Sequence, residues 1–311
     1  MGSGRSPLGL SRRALLTAPL GLAAAACGSS PDLGIGDLKL ATGPEGATYR
    51  ESGAALAALW NEALDREAVE VVFTEASVDN LRLLRGGEVD LAYGNVDVLR
   101  PYDGETVALL RIFDSVVHLV TLRDSGIRAL ADLAGRPVAL GLPGSGTRFT
   151  GGRLIEAAGV PVEVRDLGQT AAARALVDGE VDAVFSLTAM PTPAISWLLA
   201  NAPPVHFVDL AAEAEAMRYA HPGEYLPVTI SGAVYPEVAT TATLAVPTLI
   251  AVRSGFPTEA ARFFTRTAVE GAAALARTRP EAYQINPRTA AATVPITLHP
   301  GAAAWFRSVK L

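Results

Sequence analysis

Apolar and polar positions switch between two periods along residues 37–186. Short β-prone runs at 38–42, 69–74 and 89–93 are separated by stretches with helical spacing. In 49–64, Leu56, Leu59, Trp60 and Ala63 recur three and four positions apart, which predicts an amphipathic helix. A second helix is expected over 78–84, before Gly86-Gly87. The pattern then recurs, with strands at 137–140, 162–167 and 181–186 and helices at 148–158 and 171–176. Alternating strands and helices predict an α/β fold with mostly parallel sheets.

A short internal repeat supports two similar lobes. Leu84-Arg85-Gly86-Gly87-Glu88-Val89-Asp90 matches Leu176-Val177-Asp178-Gly179-Glu180-Val181-Asp182. In both copies a helix ends at glycine and a strand begins at Glu-Val-Asp. Two apolar, β-prone segments, 108–122 and 242–252, flank the second copy and are expected to form a two-strand hinge. One lobe would then comprise 37–121 plus 243–311, and the other 122–242. Helices over 259–277 would pack on the first lobe. A ligand in such a fold sits between the lobes, at the strand C-termini.

The N-terminus has a different pattern. Arg12-Arg13 precedes a short apolar, alanine-rich run that ends at Cys27, the only cysteine. This predicts an export signal over 1–26 and a lipid attached at Cys27, although Ala24 stands where a larger aliphatic residue is more usual. Residues 27–36 would be a tether, and the protein would sit on the extracytoplasmic face of the cell membrane. Later apolar runs are shorter than the ~18 residues a membrane helix needs.

The formal charge is −6. Removing 1–26 takes away Arg5, Arg12 and Arg13 and no acid, which moves it to −9. That balance argues against nucleic acid as a partner. His118, His206, His221 and His299 are scattered, with no zinc spacing, and a single cysteine forms no intramolecular disulfide. No metal or cofactor is expected.

Two glycine-bearing turns follow strands and open helices. Gly144-Ser145-Gly146-Thr147 offers amides, a helix dipole and two hydroxyls to an anion. Ordinary N-capping by Ser145 or Thr147 explains it equally well. Pro143 and Thr147 stand where a nucleophile elbow needs glycine. In the first lobe, Thr42, Gly43, Glu45, Thr48 and Tyr49 form the counterpart. Ser77 precedes the next helix, and Asn95 and Ala189 end strands. Asp90 and Asp182 read as structural. No nucleophile–base arrangement is visible, so no enzyme activity is expected.

Together these residues resemble the TAXI-type solute-binding proteins of tripartite ATP-independent periplasmic (TRAP) transporters, over about residues 37–306. The resemblance rests on the order of the motifs above, with Ser77-Val78-Asp79-Asn80-Leu81, Pro191-Thr192, Tyr235-Pro236 and His299-Pro300-Gly301-Ala302. It implies a two-lobed periplasmic-binding-protein-like fold of type II character, with two mostly parallel sheets and a two-strand hinge. It also implies closure on an amino acid or organic acid and delivery to a TRAP-type membrane permease. The pocket residues it implies are Thr42, Gly43, Thr48, Tyr49, Ser77, Asn95, Ser145, Gly146, Thr147 and Ala189. The chain departs from that family at Pro44, Glu45 and Arg50, where the usual pattern is glycine-rich and aromatic. Glu45 is expected to read a ligand ammonium while the 145–147 turn holds its carboxylate. The competing readings are a sensory receptor of the same fold and, more distantly, a serine hydrolase using Ser145.

Overall fold

The chain alternates strand and helix from its first strand, as the periodicity requires. The computed structural model describes Met1 and residues 33–309. The expected export signal, Cys27 and most of the tether lie outside the described residues. The described end of the tether is tied down by Arg66, which donates to the carbonyls of Ile35 and Gly36 and pairs with Asp37.

The first half runs β1 (Leu38–Ala41), α1 (Thr48–Leu64), β2 (Val69–Val72), α2 (Ser77–Gly86), β3 (Leu91–Asn95) and the short α3 (Val96–Leu99). A long strand, β4 (Thr106–Leu122), leads onward. Then come β5 (Pro137–Ala139), α4 (Gly146–Ala158), β6 (Glu163–Arg165), α5 (Gln169–Val177), β7 (Ala183–Thr188) and α6 (Pro193–Asn201). β8 (Val205–Phe207), α7 (Ala211–Ala220) and β9 (Leu226–Ile230) precede the second long strand, β10 (Thr241–Arg253). α8 (Thr258–Glu270), α9 (Ala272–Leu275), α10 (Pro287–Ala290) and α11 (Pro300–Ser308) complete the chain.

Strands β2, β1 and β3 are parallel, as are β7, β5 and β6. The long strands β10 and β4 run antiparallel between these two sets, in the order β2-β1-β3-β10-β4-β7-β5-β6. The two expected sheets are thus hydrogen-bonded into a single ten-stranded sheet. The reason is length: β10 pairs with β3 and β4 with β7, and each is long enough to pair with the other as well.

The sequence repeat has a structural counterpart. Gly87 and Gly179 both take φ of +74°, which suits glycine and ends each helix. The amide of Asp90 then donates to Lys39 O, and that of Asp182 to Pro137 O. Each repeat aspartate therefore begins its strand against the first strand of its own half. Their carboxylates bind Lys39 N and Arg136 respectively, the structural role expected of them.

The C-terminal helices close the first half. Trp60 of α1 is fully buried and donates from its indole to Phe264 O of α8, with the two rings edge to face. Truncating a side chain so enclosed costs about 3–5 kcal/mol. The helices expected over 259–277 are α8 and α9, which meet at Gly271, where a β-carbon would press into Leu59. Among the described residues, no helix is long and apolar enough to cross a membrane.

Candidate functional site

Helix starts converge on a cavity of about 160 Å³ between the two halves of the sheet. Thr48, Ser77, Gly146 and Gln169 open α1, α2, α4 and α5, and all four line it. The first amides of a helix have no intrahelical acceptor, and each helix start carries roughly half a positive charge. The four dipoles favour a negatively charged group without any cationic side chain, although α2 has already spent its Val78 and Asp79 amides on Gly144 O. Among the described residues, the charged lining side chains are Glu45 and Glu75.

Of the expected site residues, Glu45, Thr48, Tyr49, Ser77, Asn95, Ser145, Gly146 and Thr147 line the cavity. Thr42, Gly43 and Ala189 do not line it. The Thr42 hydroxyl turns away and donates to Val72 O. Arg50 stacks on the Phe73 ring at 3.0 Å, and Arg148 pairs with Asp166 at 2.7 Å, so neither serves as a cation in the cavity.

The floor is a ring of hydrogen bonds. The Ser77 hydroxyl donates to Asn95 Oδ1 at 2.8 Å, and Asn95 Nδ2 donates to Thr248 Oγ1 at 3.2 Å. Tyr49 Oη lies 3.2 Å from Ser77 Oγ and 3.3 Å from Thr248 Oγ1. Since Ser77 gives its proton to Asn95, Tyr49 donates to Ser77 and Thr248 donates to Tyr49, which closes the ring. Burial pushes the Tyr49 phenol up to about 12, so it stays neutral. The hydroxyl protons of Tyr49 and Ser77 are therefore committed within the protein; Ser77 Oγ also accepts from Asn95 N, so of the two only Tyr49 Oη keeps a lone pair for the cavity.

Donors come from elsewhere. Thr147 Oγ1 accepts from Leu187 N at 3.2 Å, leaving its own proton for a ligand. Thr48 and Thr188 share one hydrogen bond at 2.8 Å, so one of their two protons is also spare. Ser145 caps α4 by accepting from Arg148 N, and it donates to Leu142 O at 2.7 Å. Its proton goes to a carbonyl and not to an imidazole or carboxylate, unlike a serine nucleophile. Gly146 packs directly against Asn95, and a β-carbon there would overlap Oδ1.

Three polar bridges cross the cleft. Glu75 accepts from Gly144 N at 2.7 Å, while Gly144 O accepts from Val78 N and Asp79 N. Thr48 meets Thr188. Below them, buried Asp97 accepts from Thr150 at 2.6 Å and Tyr225 at 3.0 Å. Burial pushes the Asp97 carboxyl up to about 6, against the opposing pull of those hydrogen bonds and of Arg153.

Glu75, Gln169, Thr170 and Thr188 also line the cavity but were not among the expected ligand-binding residues. Gly168-Gln169-Thr170 carried a usable signal, because a polar turn opening an alanine-rich helix mirrors Ser77 in the first half. Thr188 sits one residue before the expected Ala189.

This architecture, two α/β halves around a cleft lined by helix starts, is that of type II periplasmic binding proteins. The chain belongs to the NMT1-like family, whose profile matches residues 40–309. Among solved structures it is similar to an L-cystine ABC transporter protein from Listeria monocytogenes, at 14% identity and a TM-score of 0.53. That match covers 80% of this chain and 98% of the other. A protein from Bordetella bronchiseptica RB50 matches at 16% identity and a TM-score of 0.50, over 87% and 82% of the two chains. The periplasmic aliphatic sulphonate binding protein SsuA of Escherichia coli aligns at 17% identity and a TM-score of 0.49, over 89% and 84%.

Proposed function

We propose that this chain is an extracytoplasmic solute-binding receptor that captures a small carboxylate-bearing solute, an amino acid or organic acid, for a TRAP-type permease. One observation carries the reading: four helix starts and the free Thr147 proton face one cavity sized for a small molecule. The carboxylate would lie on the Gly146 and Thr147 amides. The lobes would be 37–121 plus 243–311 and 122–242, and a lipid on Cys27 would hold the receptor at the membrane.

The test is a thermal-shift panel on the full chain with L-glutamate, L-alanine, succinate and 2-oxoglutarate. A ligand at 100 times its dissociation constant stabilises a protein by about 2.7 kcal/mol. A selective rise in melting temperature supports the receptor. A flat response to the whole panel overturns it. A neighbouring gene for a large multi-span permease would favour uptake over sensing.

A further inference from the structure

The two long strands change partners at one level of the sheet. On its outer side β10 pairs with β9 through Thr241–Ala245 and with β3 from Thr248 to Val252. Val246 and Pro247 fall between these segments, and Pro247 has no amide hydrogen to donate. On the other side, β4 pairs with β7 only from Val116 onward. The β10–β4 register also shifts between Thr248 and Leu249, and again between Ile250 and Ala251. A strand bends most easily where its ladder is irregular. The ladder is therefore least regular at Val246–Leu249 of β10 and Asp114–Val116 of β4, within a few residues of the lobe boundaries proposed above at 121/122 and 242/243.

The floor of the cavity is bonded to that joint. Thr248 and Ser115, both fully buried, face each other with Oγ1 and Oγ 2.8 Å apart. Thr248 also holds Asn95 and Tyr49, two residues that line the cavity. With its proton on Tyr49, Thr248 accepts from both Asn95 and Ser115, so its hydroxyl is used completely. Anything that pulls on Asn95 or Tyr49 acts on both long strands where they bend.

We infer that Thr248, braced by Ser115, is the positioning residue that couples the cavity to the hinge and sets how far the two halves close. The inference rests on the receptor reading for its purpose, but its geometry is independent of any ligand.

The experiment measures distances between spin labels at Arg82→Cys on α2 and Glu156→Cys on α4, in the full chain carrying Cys27→Ser. Without ligand, Thr248→Val widens the distance distribution relative to the parent, and Thr248→Ser, which keeps the hydroxyl, restores it. Ser115→Ala widens it in the same sense and decides the question should Thr248→Val fail to fold. Thr243→Val is the control. It removes another buried hydroxyl of β10, bonded to Val117 O, and lowers the melting temperature without changing the width. An unchanged width in Thr248→Val or Ser115→Ala, or equal widening in Thr243→Val, overturns the inference. The same solute panel is then added. If no solute narrows the parent distribution or raises its melting temperature, the receptor reading fails while the ligand-free widths still decide the hinge.

Discussion

The Glu75 carboxylate accepts the Gly144 amide proton across the mouth of the cleft, at 2.7 Å. The Gly144 carbonyl is held from the same side by Val78 N and Asp79 N, so this one residue is gripped at both its amide and its carbonyl. Removing the carboxylate in Glu75→Ala is expected to speed release of a bound solute about fivefold, the equivalent of about 1 kcal/mol for a partly solvated hydrogen bond. Stopped-flow dissociation from the wild type and the variant checks this. Equal rates would show that the bridge does not restrain opening.

Gly146→Ala tests the other side of the cavity. The added methyl overlaps Asn95 Oδ1 beside Ser77. Overpacking of this kind costs about 1–3 kcal/mol. The variant is expected to melt at a lower temperature and to lose the solute-induced rise in melting temperature, whereas Gly152→Ala, where a β-carbon meets open space, keeps it. Retained solute stabilisation in Gly146→Ala would remove the 145–147 turn from the binding site.

Asp97 gives a pH dependence of defined sign. Its carboxyl lies at about 6, chiefly because burial penalises the charge. In the unfolded chain it returns to about 3.9. A raised acid pKa favours the native state when protonated. Its contribution is therefore full below about pH 4 and is lost as pH rises towards 6. The loss amounts to about 3 kcal/mol at most. Melting temperatures recorded from pH 4 to 7 should show Asp97→Asn with a flatter profile than the wild type across that window. Parallel profiles would mean that Asp97 is solvated.

Glu45 lines the cavity from the first glycine-bearing turn. If it reads an ammonium group, Glu45→Gln weakens binding of an amino acid about tenfold, in line with charged hydrogen bonds worth about 1.5–3 kcal/mol. Affinity for an organic acid without an amine stays level or improves. Calorimetry with L-glutamate and 2-oxoglutarate separates the two outcomes, and unchanged amino-acid affinity refutes the role.

What the sequence made legible was local. The Gly-Glu-Val-Asp repeat, the two glycine turns and the helix starting near Tyr49 all act through near neighbours in the chain, and each is found where its pattern predicts. Pairings between distant segments left little trace. Glu75 meets Gly144, and Thr248 meets Asn95, only because the sheet brings them together. Pro247 is the instructive case. Proline ordinarily argues against a central strand, yet β10 accommodates it in the interval where its outer partner changes. The continuity of the sheet was likewise hidden, because it depends on how far β4 and β10 extend beyond one set of neighbours.

The groups that make the cavity attractive to anions are largely main-chain amides at helix starts. Side-chain replacement does not delete them, short of introducing proline. If the proposed carboxylate binding holds, the fold carries that affinity as an inheritance largely protected from drift. Side chains such as Glu45, Thr147, Gln169 and Thr188 remain free to vary around it. A lineage built on this frame can exchange one solute for another by changing a few side chains while its means of gripping negative charge stays constant.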